Sequence, residues 1–338
     1  MSTTISWVPL SEDERKQIGY DQLWGEESSQ TNPIVSIPYG IKMPSHFEPI
    51  ADKLLNFEVR SDDIWIVTYP KCGTTWTQEI VWHIMNDVDK EKGKMPLFTR
   101  SPFLEFQGLQ KPDRHPFSKP GASDADSKLA MMVQKTVNES VDFAANMRSP
   151  RIIKSHMPFE FLPPNLLNTA KVIYVCRNPK DTCVSYFHHM TDVLDHVYQY
   201  QGTFEKFTQL FMGGMLEYGS YFDHLKSGWK HHNHPNMKFV WYEDLKKDTI
   251  KEVSDISKFL NHSMSDAKIE ELVDHLKFSN MKGRAAEQTG GKNDKFTKFF
   301  RKGSVGDWKN YFKGDNLKLW DDWIQENIKD SDIQFNFE

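Results

Sequence analysis

Short apolar runs rich in β-branched residues recur along the chain and alternate with longer segments of helical character. Runs of this kind, bounded by polar residues or proline, are typical of buried strands. Four of them predict strands, at residues 63–68, 151–156, 171–177 and 236–242. Helix-compatible segments follow the first, third and fourth. This alternation indicates βαβ units, and therefore an α/β domain around a central parallel sheet flanked by helices.

A polar or basic side chain stands at or just beyond the carboxyl end of each predicted strand. These residues are Lys71, His156, Arg177 and Tyr242, one for each strand. In an open parallel sheet these ends meet at one edge, and ligands bind there. We therefore expect one site that is assembled from residues far apart in the sequence.

Two stretches lack the alternating pattern. Residues 1–34 are polar and mixed, and we expect a loop or flexible N-terminal arm ahead of a domain formed by residues 35–338. Residues 110–128 hold several prolines and charges and predict a surface insertion, which we interpret as a lid over a pocket. No internal repeat or low-complexity linker divides the chain, so a single domain is expected.

The composition excludes several classes of protein. The chain has 338 residues, of which 38% are hydrophobic, and its net charge of −5 argues against a nucleic-acid partner. No apolar run approaches the roughly 18 residues of a membrane span, and the N-terminus lacks the pattern of a signal peptide. The three cysteines, Cys72, Cys176 and Cys183, lack metal-ligand spacing and indicate free thiols. We expect a cytoplasmic protein without a metal, membrane or nucleic-acid partner.

The first predicted strand runs directly into residues 68–76, Thr-Tyr-Pro-Lys-Cys-Gly-Thr-Thr-Trp, and then into a helix. Gly73 permits close approach of the backbone to a ligand, and Thr74 and Thr75 are suited to capping the helix. Such a turn directs backbone N–H groups and a helix N-terminus at one point, where an anion binds. Lys71 adds a full positive charge.

The turn is not a Walker A loop, because its lysine precedes its glycine. An ordinary strand–helix turn with a solvated Lys71 is the alternative interpretation. Cys72 lies beside Lys71 at the helix N-terminus, where thiol pKa values are typically lowered. We therefore expect Cys72 to be the most reactive of the three cysteines, and we expect a bound nucleotide to protect it.

Four motifs, in order, resemble those of the cytosolic sulfotransferases. Residues 69–76 resemble the 5′-phosphosulfate loop of that family, which usually has serine where this chain has Cys72. Residues 154–158 match Lys-[Thr/Ser]-His-x-Pro, residues 177–185 match the 3′-phosphate motif, and residues 301–309 match Arg-Lys-Gly-x-x-Gly-Asp-Trp-Lys. The resemblance covers nearly all of the chain from about residue 35.

This resemblance implies a fold, a donor and a class of acceptor. The fold would be a single α/β domain of the sulfotransferase type, related to the P-loop nucleotide kinases. The donor would be 3′-phosphoadenylyl sulfate (PAPS), which leaves as PAP, and no metal is implied. The acceptor would be a hydroxyl or amine of a small lipophilic molecule such as a phenol, steroid or retinoid.

The resemblance also implies which residues bind the nucleotide. Phe278 falls where the family has an adenine-contacting phenylalanine, although residues 276–281 depart from the family's Thr-Ser-Phe, so the threonine contact to adenine is not carried over. The implied cofactor-binding residues are Lys71, Cys72, Gly73, Thr74, Thr75, Trp76, Arg177, Ser185, Tyr242, Phe278, Met281, Phe300, Arg301, Lys302 and Gly303.

For catalysis the resemblance implies His156 as the base, with Lys71 and Lys154 offsetting negative charge. A neutral imidazole at a strand end is chemically suited to take the proton of an attacking hydroxyl. Phe103 and Phe106 match positions in the acceptor pocket, which Lys154 and His156 would complete. Phe103 and Phe106 could instead belong only to the hydrophobic core. His156 could instead be a solvated or packed side chain without a catalytic role.

Three other functions stay open at this point. The long insertion between Phe106 and Lys154 resembles that of retinol dehydratase, a family member in which sulfation of an allylic alcohol leads to loss of water. A small-molecule kinase and a non-catalytic nucleotide-binding module are the others.

The family's dimer motif is Lys-x-x-x-Thr-Val-x-x-x-Glu, and residues 309–318 of this chain lack its threonine, valine and glutamate. We therefore expect a monomer or a dimer of non-standard construction.

Overall fold

The computed structural model of the chain describes residues 5–109, 127–288 and 298–338. The predicted lid, residues 110–128, falls almost wholly outside this part of the chain. The described residues form two sheets. Their strands are β1 (Ser6–Pro9), β2 (Pro33–Ile37), β3 (Lys42–Pro44), β4 (Ile64–Thr68), β5 (Ile152–Ser155), β6 (Lys171–Cys176) and β7 (Met237–Trp241).

The larger sheet has the strand order β5–β4–β6–β7, and every pair in it is parallel. Ile66 of β4 pairs with Lys154 on one side and with Ile173 on the other, so the carboxyl ends of the strands reach the same edge. The four strands predicted from the sequence and the α/β class are confirmed. Their observed ends differ from the predicted ones by one residue at most.

Helices surround both sheets and supply the connections between parallel strands. They are α1 (Glu12–Ile18), α2 (Glu48–Leu55), α3 (Thr74–Met85), α4 (Leu97–Arg100), α5 (Ser127–Asn138), α6 (Ser140–Ala145), α7 (Leu166–Thr169), α8 (Pro179–His188), α9 (Asp195–Tyr198), α10 (Phe204–Met212), α11 (Tyr221–Trp229), α12 (Tyr242–Lys247), α13 (Thr249–Phe259), α14 (Asp266–His275), α15 (Phe278–Gln288) and α16 (Gly314–Ile328). A short π-helix, His189–Val193, extends α8.

Apolar side chains pack against both faces of the parallel sheet. Trp65 and Val67 of β4 point into one core cluster, whereas Ile64 and Ile66 point into the other. Side chains alternate between the two faces of a strand, so a strand covered on both faces is apolar throughout. This explains why β4 is a continuous apolar run. Within the described residues, no helix has the length and apolar character needed to cross a membrane.

The described part of the N-terminal arm is folded, which differs from the expected loop or flexible arm. β1 pairs antiparallel with β2, and β2 with β3. Tyr20, Leu23 and Trp24 are buried in the main core cluster. These apolar residues are too sparse for a sequence pattern to detect, but together they cover one side of the domain. The domain boundary at residue 35 stays a prediction.

Candidate active site

Strand β4 is joined to helix α3 by a turn with two left-handed residues. Lys71 has φ +72° and Gly73 has φ +105°. Gly73 is the N-cap of α3, and no side chain caps this end. The expectation that Thr74 and Thr75 cap the helix is therefore wrong, since the helix begins at Thr74 itself. The first N–H groups of α3 keep no side-chain acceptor, which suits an anion.

The turn opens into a cavity of about 310 Å³ at the carboxyl edge of the sheet. All of the site residues predicted from the sequence line it, with the exception of Cys72. Those that line it are Lys71, Gly73, Thr74, Thr75, Trp76, Phe103, Phe106, Lys154, His156, Arg177, Ser185, Tyr242, Phe278, Met281, Phe300, Arg301, Lys302 and Gly303.

The side chain of Cys72 points away from the cavity and into the core. It is 1% exposed, and its Sγ lies 3.7 Å from Oγ1 of Thr182 on α8. Burial raises the pKa of this thiol to about 12. The expected low pKa is therefore wrong, because burial outweighs the neighbouring positive charges, and the ranking of the three thiols by reactivity stays a prediction.

His156, directly after β5, is held through both its backbone and its ring. Its backbone N–H donates to Oε1 of Glu105 over 2.6 Å, and its Nδ1 lies 2.8 Å from the carbonyl oxygen of Thr68. A carbonyl only accepts, so Nδ1 carries the proton and Nε2 is the basic nitrogen. Burial, reinforced by the charge of Lys154, holds the pKa of the ring well below its usual value. The imidazole is therefore neutral near pH 7.

Lys71 and Lys154 both line the cavity, and the amine of each lies over an aromatic ring. Nζ of Lys71 lies 4.2 Å from the centre of the Phe299 ring, and Nζ of Lys154 lies 3.8 Å from that of Phe103. Burial, and then the nearby charges of Lys154 and Arg177, lower the pKa of Lys71 to about 7. Burial lowers the pKa of Lys154 to about 8. An anion bound nearby would raise the pKa of both amines and so favour their protonated forms.

Arg177 connects the two loops that border the cavity. Its guanidinium donates to the carbonyl of Lys71 over 3.5 Å and to that of Ser304 over 3.1 Å, and it lies 4.5 Å from the ring centre of Tyr242. Its buried Nε has no hydrogen-bond partner among the described residues. Ser185, two turns into α8, lines the same cavity. An anion placed here would satisfy a donor that is otherwise unpaired.

The loop that carries residues 301–306 is shaped by a glycine. Gly303 has φ +63°, and a Cβ there would lie 2.2 Å from the ring of Phe278. Arg301 and Lys302 each form an ion pair of 2.5 Å with Asp307. Their charges are therefore partly engaged within the loop itself.

Asp181 is a residue of this region that the sequence analysis did not single out. Its carboxylate accepts the backbone N–H of Gly306 over 2.8 Å and that of Trp308 over 2.9 Å. It thereby fixes the 301–308 loop against α8. A signal did exist, since Asp181 lies within the motif that begins at Arg177.

On the other side of the turn, Trp76 and Tyr242 pack edge to face with ring centres 6.0 Å apart. A Cβ at Gly73 would lie 2.6 Å from the Tyr242 ring, so this glycine permits the close packing. The amine of Lys246 lies 5.2 Å from the Trp76 ring centre and lines the cavity, although the sequence analysis did not select it.

Comparison with known proteins decides the family. A model of the sulfotransferase domain matches residues 61–332. The chain belongs to the sulfotransferase family. Sulfotransferase 1E1 of Homo sapiens is 34% identical over 307 residues, covering 89% of this chain and 95% of its own. Luciferin sulfotransferase of Photinus pyralis is 30% identical over 292 residues, covering 83% of this chain and 75% of its own. The protein is thus a PAPS-dependent sulfotransferase.

Among solved structures, this sulfotransferase is similar to retinol dehydratase. The structure of that protein with androsterone and the inactive cofactor PAP superposes with a TM-score of 0.84 at 27% identity and covers 99% of each chain. A second structure, with retinol and PAP, gives the same TM-score and identity. The resemblance to the cytosolic sulfotransferases and to retinol dehydratase is thereby confirmed.

The part of the cavity beside His156 is lined by aromatic rings. The rings of Phe103 and Phe106 stack 5.5 Å apart, and Phe103 contacts the His156 ring at 5.1 Å. Several further residues line the cavity without having been predicted, because no local motif marks them: Tyr186, His189, Leu194, Tyr198, Glu217 and Tyr218.

The residues of this sulfotransferase fit PAPS. Two cationic amines with lowered pKa values, an unpaired buried Nε on Arg177 and an uncapped helix N-terminus all favour an anion with more than one charged group. Trp76, Tyr242 and Phe278 give aromatic surfaces for a base. Within the described ranges, no cluster of three or more His, Cys, Asp or Glu residues is suited to hold a metal ion.

Proposed function

We propose that this sulfotransferase transfers the sulfuryl group of PAPS to a hydroxyl group of a small lipophilic acceptor, with His156 as the general base. An acceptor amine is a second option of the same chemistry. The observation that carries the proposal is the state of His156. Its Nδ1–H is engaged by the Thr68 carbonyl, so a neutral Nε2 is directed to the cavity that Lys71 and Lys154 also line.

Nucleotide binding is assigned to the loops around the cavity. Lys71 and the N-terminus of α3 would hold the 5′-phosphosulfate, while Arg177, Ser185 and the 301–303 loop would hold the 3′-phosphate. The aromatic rings of Trp76, Tyr242 and Phe278, together with Met281 and Phe300, would border the adenine. Cys72 would contribute only its backbone, since its side chain is buried in the core.

In the proposed mechanism the protein supplies position, charge and a proton acceptor. Bound PAPS supplies the sulfuryl group. Phe103 and Phe106 place the acceptor hydroxyl near Nε2 of His156, which takes its proton as the oxygen attacks. The bond between sulfur and the 5′-phosphate oxygen would break as the new one forms, so that PAP leaves. Lys71, Lys154 and the N-terminus of α3 offset the negative charge on the sulfuryl group and on the departing phosphate. No step in this scheme needs a metal.

The acceptor class rests on the apolar walls and on the relatives. Retinol dehydratase has been solved with androsterone and with retinol. Phenols, steroids and retinoids are therefore the first acceptors to test. A retinol dehydratase-type outcome, in which the sulfated allylic alcohol loses water, is the second candidate, favoured by the similarity over 99% of both chains.

Incubation with labelled PAPS and a panel of phenols, steroids and retinoids, read by mass spectrometry, tests this proposal. A labelled sulfate ester supports simple transfer, and a product lacking the elements of water supports the dehydratase reaction. Transfer from ATP with none from PAPS would replace the proposal by a kinase. A His156→Ala variant that retains PAP binding serves as the negative control.

We also propose that the protein works in the cytoplasm, as a monomer or as a dimer with a non-standard contact. The three cysteines are free and buried, which fits a reducing compartment. The residues at 309–318 lack the family's dimer motif. Light scattering at micromolar concentration tests the second point. A dimer disrupted by substitutions at Phe312 or Lys313 would contradict it.

A further inference from the structure

A buried carboxyl group lies in the cavity wall beyond His156. Glu217 is 1% exposed and lines the cavity together with Tyr198 and Tyr218. The ring of Tyr218 lies 5.5 Å from that of His156. Through Tyr218, Glu217 is therefore close to His156, where the acceptor is proposed to bind.

The orientation of this carboxyl group is fixed by two neutral donors. The hydroxyl of Tyr198 donates to Oε2 over 2.7 Å, and Nε2 of Gln30 donates to Oε1 over 2.6 Å. A carboxylate oxygen can accept more than one hydrogen bond, so both oxygens keep capacity for a further donor. The Glu217 carboxylate is therefore pre-oriented without being saturated.

No positive charge compensates this carboxyl within the described part of the chain. Tyr198 and Gln30 act on it through hydrogen bonds. The surrounding tyrosines are neutral near pH 7, because burial and the charge of Glu217 raise their pKa values; these are Tyr20, Tyr69, Tyr186, Tyr198 and Tyr218. Lys42 forms a backbone bridge with Glu217. The carboxylate that acts on the pKa of its amine is that of Glu14. Burial raises the pKa of Glu217 to about 7.

Some buried carboxylates in the described residues have a cationic partner. Asp63, for example, pairs with Arg151 over 2.6 Å. Glu243, like Glu217, is instead held by neutral donors, the backbone N–H and the side-chain amide of Asn178. Burial of a carboxylate without a cationic partner is costly, and a glutamine would serve a purely structural role at lower cost. An unmet negative charge at the end of an aromatic cavity is complementary to a cationic ligand group.

We propose that Glu217, oriented by Tyr198 and Gln30, binds a protonated amine at the end of the acceptor remote from the hydroxyl that is sulfated. The inference rests on the proposed function, because it needs the acceptor to lie between His156 and this wall. The acceptor class is then a hydroxylated arylalkylamine, with an apolar middle that meets Phe103 and Phe106. The amine stays protonated and is not the attacking group.

Matched acceptors test this assignment. A series of para-(aminoalkyl)phenols with ethyl, propyl and butyl chains is compared with para-alkylphenols of the same lengths, in the wild type and in Glu217→Gln. We expect the wild type to prefer at least one amine over its alkyl partner by about tenfold or more in kcat/KM. Glu217→Gln should lose that preference through a raised KM for the amines.

The pH dependence gives a readout that a structural role would not move. The ratio of kcat/KM for the amine to that for the alkylphenol cancels the titration of groups that both reactions share, such as His156 and Lys71. Because Glu217 gains its charge as the pH rises through about 7, the ratio should increase between about pH 6 and about pH 8. The same ratio should be flat in Glu217→Gln. Should that variant fail to fold, the wild-type profile alone decides.

An unchanged amine preference in Glu217→Gln, a flat wild-type ratio, or equal preference for para-(hydroxyalkyl)phenols would overturn the inference. If alkylphenols are sulfated and none of the amines is preferred, only this inference fails. If PAP binds but no phenol of either series is sulfated, the proposed function fails as well.

Discussion

The carbonyl oxygen of Thr68 lies 2.8 Å from Nδ1 of His156 and accepts a hydrogen bond from its N–H group. Thr68 ends β4, and His156 follows β5, which pairs with β4 in register, Val67 opposite Ser155. The register of two parallel strands therefore sets the tautomer of the imidazole. Oγ1 of Thr68 also lies 3.0 Å from Nδ1, so both hydrogen-bonding contacts of this nitrogen come from Thr68.

The lysines in the cavity predict a pH dependence of nucleotide binding. In the free protein Lys71 and Lys154 have pKa values near 7 and 8, lowered by burial. A bound anion favours their protonated forms and raises both values, so binding takes up protons above about pH 7. PAP affinity should therefore fall by about tenfold or more between about pH 7 and about pH 9. Calorimetry in buffers of different ionisation enthalpy measures both the affinity and the proton uptake.

Lys71→Met is the diagnostic variant for this dependence, and Lys258→Met, on the exposed surface, is its control. The first should flatten the profile between about pH 7 and about pH 8, and the second should leave it as in the wild type. An affinity that rises with pH, or the absence of proton uptake, would show that the two amines do not meet the nucleotide.

The conformation of Gly303 predicts a selective loss of binding. An alanine there places its Cβ 2.2 Å from the Phe278 ring and holds φ at +63°, which costs roughly 1–2 kcal/mol for a residue other than glycine. Since Phe278 lines the cavity, its displacement should weaken PAP binding by at least about tenfold. Calorimetric titration of Gly303→Ala with PAP tests this.

Gly283→Ala is the matched control. Gly283 lies within helix α15, where an added Cβ meets no atom within 4 Å. This substitution should leave PAP affinity unchanged and stabilise the fold by roughly 0.5–1 kcal/mol, because glycine is unfavourable inside a helix. Equal effects of the two substitutions on PAP affinity would argue against a specific role of the Gly303 turn.

The burial of the cysteines predicts slow alkylation. Cys72, Cys176 and Cys183 are all buried, and burial raises the pKa of each thiol. Folded protein near pH 8 should therefore react with iodoacetamide far more slowly than the same protein in guanidinium, and added PAP should not change the rate. Peptide mapping that finds rapid, PAP-sensitive labelling of Cys72 would contradict the burial of its side chain.

Sequence patterns located the strands, and the family motifs located a large part of the cavity wall, because strands and motifs are both local in the sequence. Lys71, His156, Arg177 and Tyr242 follow apolar strands directly, and parallel pairing brings strand ends together in any fold of this class. The direction of a side chain within a turn depends on backbone conformation, which these patterns do not predict. Cys72 lies between two cavity residues in sequence, yet the left-handed conformation of Lys71 turns it towards the core.

Residues that act through long-range packing left no signal in the sequence. Glu217 is oriented by Gln30, which lies 187 positions earlier in a segment that was interpreted as a loop or flexible arm. The folded state of that arm depends on Tyr20 and Trp24, each of which is buried by residues of other elements. No periodicity marks such contacts, since only the assembled fold brings the two segments together.

Substitutions of His156 and Lys71 separate the base from the charge donor. Loss of a general base typically costs about 10²–10⁴ in rate, and loss of a transition-state charge donor costs a broadly similar factor, so the size of the effect does not discriminate. The acidity of the acceptor does, because a phenol of low pKa reaches the site with its proton already lost. His156→Ala should therefore be partly rescued by nitrophenols and by raised pH, with PAP affinity near that of the wild type.

Lys71→Met should show no such rescue, because the negative charge at the transfer site is still unmet, and it should also weaken PAP binding. His262→Ala is the control for loss of an imidazole, since His262 pairs with Asp87 away from the cavity and should leave turnover unchanged. Steady-state rates on phenols of graded pKa and on one aliphatic alcohol give the comparison. Wild-type turnover of the alcohol by His156→Ala would remove His156 as the base, and Lys154, whose amine also lines the cavity with a pKa of about 8, would be the next residue to test.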